Sequence, residues 1–239
     1  MHAAKTAVIV LGAAGKMGAK VTESVKRSSC CVLAGAFDVS PGPGLRPPED
    51  LASALRTADV AIDFTSPRSA VEYARACAGS RKPIVVGTTG FDKAELSVLK
   101  RISRIIPVFL SPNMSPAVNL TFAVAKLLAS KLGEGFDIHI SETHHKLKKD
   151  APSGTALKYL AYVKEAHKGP VPVTSVRAGD IVGEHTVLYA GPHERVELTH
   201  RAHSRDVFAH GAVKAALWLA GKKPGLYDFS DLLGLKELL

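Results

Sequence analysis

Apolar residues in the first half of the chain form short continuous runs that alternate with amphipathic stretches. The β-branched run Thr6–Leu11 is typical of a strand buried on both faces of a parallel sheet. A helical pattern begins near Lys16, and this succession repeats. We predict further strands at Cys31–Asp38, Val60–Phe64, Pro83–Gly87 and Pro107–Leu110, and further helices at Leu51–Leu55, Ala70–Ala78 and Ala94–Ile102. Because strands and helices alternate, the pattern predicts a doubly wound βαβ sheet.

The pattern changes after about residue 115. The segment Phe136–His145 alternates apolar and polar residues, as a strand with one exposed face does. We predict strands also at Val171–Ala178, Thr186–Ala190, Arg195–His203 and Leu226–Asp228, and helices at Asn119–Leu132, Gly154–Ala166 and Val207–Ala220. The expected fold is α/β: a Rossmann-like, doubly wound domain at residues 1–115, completed by 206–239, and an inserted α+β domain with a mixed open sheet at 116–205.

Composition excludes several classes of protein. The formal net charge is +9, but no aromatic interleaving or recognition motif accompanies the lysines, so nucleic-acid binding is not expected. The apolar runs are shorter than the roughly 18–20 residues that span a bilayer, which argues against a membrane protein. The three cysteines form neither a disulfide framework nor CxxC spacing. We therefore expect a cytoplasmic protein, or a plastid one if a transit peptide has been removed.

A glycine loop, LGAAGKMG, separates the first predicted strand from its helix. Gly12 and Gly15 suit a tight turn and a close phosphate, and the helix start offers backbone N–H groups to a pyrophosphate. Asp38 ends the second strand, where a carboxylate can bind ribose hydroxyls. Glycines here can also serve only the packing of helix on strand. The surrounding strand, helix and acid favour dinucleotide binding.

The residue after Asp38 bears on the choice of coenzyme. Val39 stands where an arginine would bind the 2′-phosphate of NADPH, and the Asp38 carboxylate repels that phosphate. Lys16 partly offsets the repulsion. We therefore expect NADH to be favoured, with NADPH still usable.

Two further loops, FTSP at Phe64–Pro67 and GTTGFD at Gly87–Asp92, each follow a predicted strand. Ligands bind at the carboxyl ends of the strands in such sheets, and small hydroxyl residues suit ribose and nicotinamide. Serine and threonine also cap helices, and for Ser66 that alternative is equally good.

The segment ETHHKLKKDAPSGTA at Glu142–Ala156 concentrates groups that donate protons or bind anions. His144 and His145 can donate a proton near neutral pH. Three lysines raise the local positive potential, and Gly154 and Thr155 begin a helix where a carboxylate can bind. A metal site is disfavoured, because consecutive strand residues point to opposite faces and the lysines repel cations.

These motifs, together with SPNMS at Ser111–Ser115, RAGDIVGEHT at Arg177–Thr186 and HRAHSR with FAHGAVKAALWL in His200–Leu219, resemble the 4-hydroxy-tetrahydrodipicolinate reductase family. The resemblance runs in order along nearly the whole chain, and the His–Lys segment is its most specific part. It implies NAD(P)H-dependent reduction of a cyclic dicarboxylate, with loss of water, in the diaminopimelate route to lysine. It also implies a cytoplasmic homotetramer built by the sheet of the inserted domain.

The resemblance assigns roles residue by residue. His144 is implied to be the general acid, with Lys148 as its partner proton donor. Substrate-binding positions are His145, Gly154 and Thr155. The implied cofactor-binding positions are Gly12, Ala13, Ala14, Gly15, Lys16, Met17, Asp38, Phe64, Gly87, Thr88, Thr89, Ser111, Pro112, Asn113, Met114 and Arg205, and no metal is implied. The chain is shorter than the family's longer members after Asp38 and between Ala166 and Arg177.

Two other hypotheses remain at the level of sequence. One is another two-domain NAD(P)-dependent dehydrogenase of amino-acid metabolism, which would lack the His–His–x–x–Lys segment. The other is a non-catalytic nucleotide-binding sensor on the same fold, which would have little need for proton donors beside a carboxylate site.

Overall fold

The structure, a computed structural model, describes residues 4–235 and divides them into two compact units. The first comprises the chain up to Met114 and Asp206–Leu232, and the second comprises Ser115–Arg205. Residues 233–235 group with the second unit, so the first unit stops before the expected residue 239. Residues 1–3 and 236–239 of the predicted first domain lie outside the described residues.

The first unit holds a six-stranded sheet in the order β10-β5-β4-β3-β1-β2, with every pair parallel. Its strands are β1 (Thr6–Leu11), β2 (Cys31–Phe37), β3 (Val60–Asp63), β4 (Ile84–Val86), β5 (Pro107–Leu110) and β10 (Gly225–Tyr227). Its helices are α1 (Lys16–Arg27), α2 (Leu51–Leu55), α3 (Pro67–Gly79), α4 (Lys93–Ile102), α7 (Asp206–Leu219) and α8 (Phe229–Leu232). The four inner strands are short and largely buried, as continuous apolar runs in a doubly wound sheet should be, whereas the edge strands β2 and β10 are partly exposed.

Capping residues decide where several helices begin. Ser66 accepts a hydrogen bond from the Ser69 N–H and caps α3, which therefore starts at Pro67 rather than at the predicted Ala70. The helix-cap interpretation of Ser66 thus has a direct contact behind it. Asp92 and Glu95 form a reciprocal capping box at the start of α4.

The second unit packs two helices, α5 (Pro116–Leu132) and α6 (Gly154–Lys164), against one face of a four-stranded sheet. The sheet order is β7-β6-β8-β9, formed by β6 (Asp137–His144), β7 (Val173–Arg177), β8 (Glu184–Ala190) and β9 (Arg195–Arg201). The pair β6–β7 is parallel and the others are antiparallel, so the sheet is mixed. The strand β8 begins two residues before the predicted Thr186, which places His185 inside the sheet pattern.

Short helices were not predicted: 3-10 turns at Pro48–Asp50 and Gly133–Gly135, and α8. Each is four residues or fewer, too short for a periodic pattern to reveal. Among the described residues, no helix has the length and apolar character needed to cross a membrane.

Candidate active site

The glycine loop between β1 and α1 is shaped by close backbone approaches. Gly12 has a φ of +79°, and a Cβ there would lie 2.5 Å from the Phe64 carbonyl oxygen. A Cβ on Gly18 would lie 1.9 Å from the Gly12 carbonyl oxygen, so this glycine lets the helix pack on the loop. In the described chain the helix start at Gly15 has no side-chain cap and no acidic residue in its first turn. The start of α1 therefore fits a phosphate-binding turn, because no side chain caps its first N–H groups and the helix dipole is positive there.

Asp38 lies beside this loop and is fixed by backbone groups. Its Oδ2 accepts a hydrogen bond from Ala14 N at 2.9 Å, and its Oδ1 accepts one from Ser40 N at 2.9 Å. A cleft of about 240 Å³ is lined by Gly12, Gly15, Asp38, Val39, Phe64, Thr65, Ser66, Ser69 and Tyr73. A carboxylate, hydroxyls and an aromatic ring in one cleft suit the ribose and base of a dinucleotide.

The first unit holds a second carboxylate, that of Asp63, which unlike Asp38 is completely buried. Asp63 accepts a hydrogen bond from Thr65 Oγ1 at 2.6 Å and another from Thr88 Oγ1 at 2.6 Å. The Thr65 N–H donates in turn to Thr88 Oγ1 at 2.9 Å. Burial raises the pKa of Asp63 to about 6, although the threonine hydroxyls oppose the rise. The Thr88 hydroxyl therefore joins the loops after β3 and β4 through this carboxylate.

The other predicted cofactor positions lie in the same unit, at or near the carboxyl ends of β1, β4 and β5, except for Arg205. Ser111 is buried and donates from its hydroxyl to the Asn113 carbonyl oxygen at 2.7 Å, which shapes the loop after β5. Ala13 and Met114 are buried, Met17, Gly87 and Asn113 are half-buried, and Lys16, Thr89 and Pro112 are exposed. Arg205 is an exposed residue at the end of the second unit.

In the second unit, the strand β6 carries a buried imidazole and a buried carboxylate on the same face. His144 and Glu142 are two residues apart, and His144 Nδ1 hydrogen-bonds Glu142 Oε2. Arg177, on the neighbouring strand β7, donates to both oxygens of Glu142 at 3.0 and 2.7 Å. This bidentate pair keeps the carboxylate ionised despite its burial.

The protonation states of Glu142 and His144 follow from these contacts. Burial opposes ionisation of Glu142, but hydrogen bonds, led by that of Arg177, outweigh it and lower its pKa to about 2. Burial lowers the pKa of His144, while the hydrogen bond and negative charge of Glu142 act in the opposite direction. An ionised carboxylate only accepts hydrogen bonds, so Nδ1 of His144 carries a proton and Nε2 is the nitrogen left to exchange one.

The same carboxylate reaches the start of helix α6. Ser153 N donates to Glu142 Oε1 at 3.2 Å, and Ser153 caps α6 by accepting from Ala156 N at 3.2 Å. Gly154 and Thr155 form the first turn, and a Cβ on Gly154 would meet nothing within 4 Å among the described residues. One carboxylate therefore connects the His144 imidazole with a helix start that can receive an anion.

Lys148 lies in the loop between β6 and α6. Its Nζ is 2.8 Å from Asp150 Oδ1, and the Asp150 carbonyl oxygen accepts a hydrogen bond from Arg177 at 2.5 Å. The loop that carries Lys148 is thus tied to the same arginine. His145 is half-buried, and its carbonyl oxygen accepts from Lys148 N at 3.0 Å.

His185 completes the cluster from strand β8. Its ring meets the His144 ring edge-on at 5.1 Å, and its Nε2 is 3.2 Å from Ser153 Oγ. Burial, chiefly, lowers the pKa of His185 to about 3, so this ring is neutral. Glu142, His144 and His185 each place one potential metal ligand within 4.8 Å of the others. Both Glu142 oxygens are already held by Arg177, whose charge repels a cation, so the cluster fits a proton-donor network better than a metal ion.

Four of these residues received no role from the sequence: Glu142, Ser153, Arg177 and His185. Glu142 could have been found, because two residues apart on a strand means the same face as His144. Arg177 and His185 depend on strand pairing: the register places Arg177 opposite His144 and His185 opposite Glu142. A single sequence does not reveal that register.

The comparisons with known proteins show the family to which the chain belongs. A family model described as dihydrodipicolinate reductase, N-terminus, matches residues 6–114, and one described as dihydrodipicolinate reductase, C-terminus, matches residues 117–233. A curated relative from Anaeromyxobacter dehalogenans (strain 2CP-1), named 4-hydroxy-tetrahydrodipicolinate reductase, is 41% identical over 97% of this chain and 98% of its own length. A second with that name, from Syntrophotalea carbinolica, is 42% identical over 96% of this chain and 99% of its own length.

A solved structure shares the fold. Dipicolinate-bound dihydrodipicolinate reductase from Paenisporosarcina sp. TG-14 matches with a TM-score of 0.82 at 24% sequence identity, covering 96% of this chain and 99% of that one. Fold and site together define a two-domain oxidoreductase that uses a nicotinamide cofactor. The chain belongs to the dihydrodipicolinate reductase family, whose curated members are named 4-hydroxy-tetrahydrodipicolinate reductase. This membership favours the reductase over the other dehydrogenases and the nucleotide sensor that the sequence left open.

Proposed function

We propose that the chain catalyses the NAD(P)H-dependent reduction of 4-hydroxy-tetrahydrodipicolinate to tetrahydrodipicolinate, with loss of water, in the diaminopimelate route to lysine. Membership of the family supports the reaction. The observation that carries the site is the Glu142 carboxylate, which contacts both His144 Nδ1 and the Ser153 N–H that precedes the first turn of α6. A proton donor and an anion-binding helix start are what a dicarboxylate reductase needs.

The chemistry divides among residues as follows. Loss of water from the substrate leaves a conjugated imine, and a bound NAD(P)H supplies the hydride. As the new C–H bond forms, the electron pair of the conjugated double bond shifts away and leaves an electron-rich carbon. His144 donates its Nε2 proton there and Lys148 is the partner donor, which completes the neutral product ring. In this proposal His145, Gly154 and Thr155 hold a substrate carboxylate, because the first turn of α6 offers backbone N–H groups to an anion.

The first unit would bind the dinucleotide through Gly12 to Met17, Asp38, Phe64, Gly87 to Thr89 and Ser111 to Met114. Arg205, at the end of the second unit, is also a cofactor-binding position in this proposal. NADH is the preferred coenzyme in this proposal, with NADPH also accepted. Asp38 is fixed beside the cleft by two backbone N–H groups, and Val39 is 79% exposed where a cation would be needed for a 2′-phosphate.

Assembly and location are further parts of the proposal. We expect a homotetramer built through the sheet of the second unit, since the helices α5 and α6 cover only one of its faces. Light scattering on the purified protein measures the assembly directly. Cytoplasmic location is expected as well, and cell fractionation checks it.

The experiment is a coenzyme-oxidation assay coupled to the synthase that makes the substrate. We expect the wild-type protein to oxidise both coenzymes, NADH with the higher kcat/KM. Oxidation of neither coenzyme, with the synthase shown to be active, would overturn the proposal.

A further inference from the structure

The His144 ring has a supporting group on each side. On the Nδ1 side lies Glu142, which is 1% exposed, and behind it the two-pronged Arg177 guanidinium. On the Nε2 side lies Gly183, where a Cβ would come within 3.0 Å of that nitrogen. Among the described residues, Nε2 has no hydrogen-bond partner, whereas Nδ1 is held by a charged one. The surroundings therefore favour one ring orientation and one tautomer.

We propose that Glu142, clamped by Arg177, is the positioning residue of this active site: it fixes the orientation and tautomer of His144 and ties that ring to the start of α6. The proposal rests on the proposed function, because it gives His144 the proton-donor role. Glu142 acts through His144 and the Ser153 N–H. A carboxylate that orients an imidazole leaves the other ring nitrogen free for proton transfer.

The contacts of Glu142 explain how one carboxylate both orients His144 and ties it to the start of α6. Its Oε2 serves His144 and Arg177 Nη1, while its Oε1 serves Ser153 N and Arg177 Nη2. Every contact is a donor pointing at an acceptor, so removing the negative charge weakens all four at once. A second consequence concerns the loop with Lys148, since Arg177 also donates to the Asp150 carbonyl oxygen.

Glu142 also affects how readily His144 takes up a proton. The charged and titratable groups facing His144 are Glu142 on its own strand, Arg177 on β7, His185 on β8 and Lys148 in the following loop. Burial, Lys148 and Arg177 lower the pKa of His144, and Glu142 alone among these raises it. Removing the Glu142 charge should therefore leave His144 harder to protonate.

The test uses Glu142→Gln, which keeps the shape and an acceptor oxygen but removes the charge. We expect the His144 titration, followed by NMR of its ring nitrogens, to move about one pH unit lower and the Nδ1–H tautomer to lose its dominance. We expect kcat to fall about 10- to 100-fold, while KM changes about threefold or less. The matched control is Glu184→Gln. Glu184 is a partly exposed residue of β8 whose carboxylate is paired with Arg201 at 3.2 Å, and its replacement should change neither the His144 titration nor kcat.

Several outcomes separate this inference from the proposed function. If the His144 titration, the His144 tautomer and kcat of Glu142→Gln all match those of the wild type, the positioning role is overturned. If the wild-type protein oxidises no coenzyme, the proposed function fails, but the His144 titration still decides what Glu142 does. Should the single variant not fold because Arg177 is left unpaired, Glu142→Gln with Arg177→Met removes both charges. In that double variant the two opposing charges on His144 are both removed, so the readout is the tautomer. The Nδ1–H form should lose its dominance, and a wild-type tautomer would contradict the proposal.

Discussion

Each unit of the molecule buries one carboxylate at or near the end of a strand, and the two are held in opposite ways. Asp63 in the first unit is hydrogen-bonded by uncharged groups, the hydroxyls of Thr65 and Thr88 and the Thr65 backbone, and burial raises its pKa to about 6. Glu142 in the second unit has a guanidinium, and its pKa is lowered to about 2 even though burial opposes that. Burial is the same, at 0% and 1% exposure, so the partner decides the charge.

The difference fits two kinds of task. Asp63 holds two loops together through its hydrogen bonds to Thr65 and Thr88. Its negative charge adds little to this, because its hydrogen-bond partners are uncharged. Glu142 hydrogen-bonds the imidazole that we propose as the proton donor, and in that proposal its charge matters for the chemistry.

The largest effect should come from the imidazole that Glu142 serves. We predict that His144→Gln lowers kcat by about 10²- to 10⁴-fold, because the general acid is lost while the fold is kept. Steady-state coenzyme oxidation measures this. His139→Gln is the matched control, since His139 lies on the opposite face of the same strand and contacts Thr174. Near-normal turnover by correctly folded His144→Gln would remove the acid role.

The second-largest effect concerns stability, which the neutral replacements of Glu142 and Asp63 should change by different amounts. Glu142→Gln leaves the largely buried Arg177 without its partner, and we predict a loss of about 3 kcal/mol in the free energy of unfolding. Asp63→Asn leaves no charge unpaired and keeps an acceptor for a threonine, so at pH 7 it should change stability by less than about 1 kcal/mol. Urea unfolding of both variants measures the difference, and equal losses would contradict the contrast.

Their effects on stability should also run in opposite directions with pH. The folded-state pKa of Asp63 is raised, so the folded protein binds more protons than the unfolded chain between 3.8 and about 6. Stability relative to Asp63→Asn therefore falls as the pH rises through that window, by at most about 1.4 kcal/mol per pH unit. The lowered pKa of Glu142 gives stability that is present above 4.5 and lost as the pH falls towards about 2. Unfolding curves across these windows check both slopes, and slopes of the same sign would contradict the assignments.

The smallest effect concerns a third, partly exposed carboxylate, that of Asp38, which lines the cleft of the proposed coenzyme site. We predict that Asp38→Asn lowers the ratio of kcat/KM for NADH over NADPH by about tenfold, since repulsion of the 2′-phosphate is removed. The coupled assay with each coenzyme measures the ratio. Glu49→Gln, an exposed acid further along the same connection between β2 and α2, should leave the ratio unchanged.

Much of the fold could be predicted because its elements have strong local patterns. The continuous apolar run of β1 and the alternation along β6 identified strands of different exposure, and the structure has both. The predicted helix starts were less accurate where a capping serine and a following proline determine the first residue, as at Ser66 and Pro67. The predicted start of β8 was two residues too late, because Glu184 and His185 are polar. In the structure His185 is nevertheless buried, on the inward face of that strand.

The site was predictable to the extent that its chemistry lies in one segment. His144, Lys148 and the helix start at Gly154 are within a dozen residues of one another, and the contact network does join His144 to that helix. Arg177 is more than thirty residues away and reaches Glu142 through a parallel strand pair. Asp63 and Thr88 meet only because β3 and β4 end side by side. Such contacts follow from pairing across the sheet, which spacing along the chain does not encode.

The pH dependence of kcat, measured side by side for wild type, Glu142→Gln and Asp63→Asn, tests the central contrast most directly. Activity should fall at high pH as the protonated form of His144 is lost. We predict that Glu142→Gln moves this fall about one pH unit lower, whereas Asp63→Asn leaves it in place. A fall that stays at the wild-type pH in Glu142→Gln, or that moves equally in Asp63→Asn, would contradict the account.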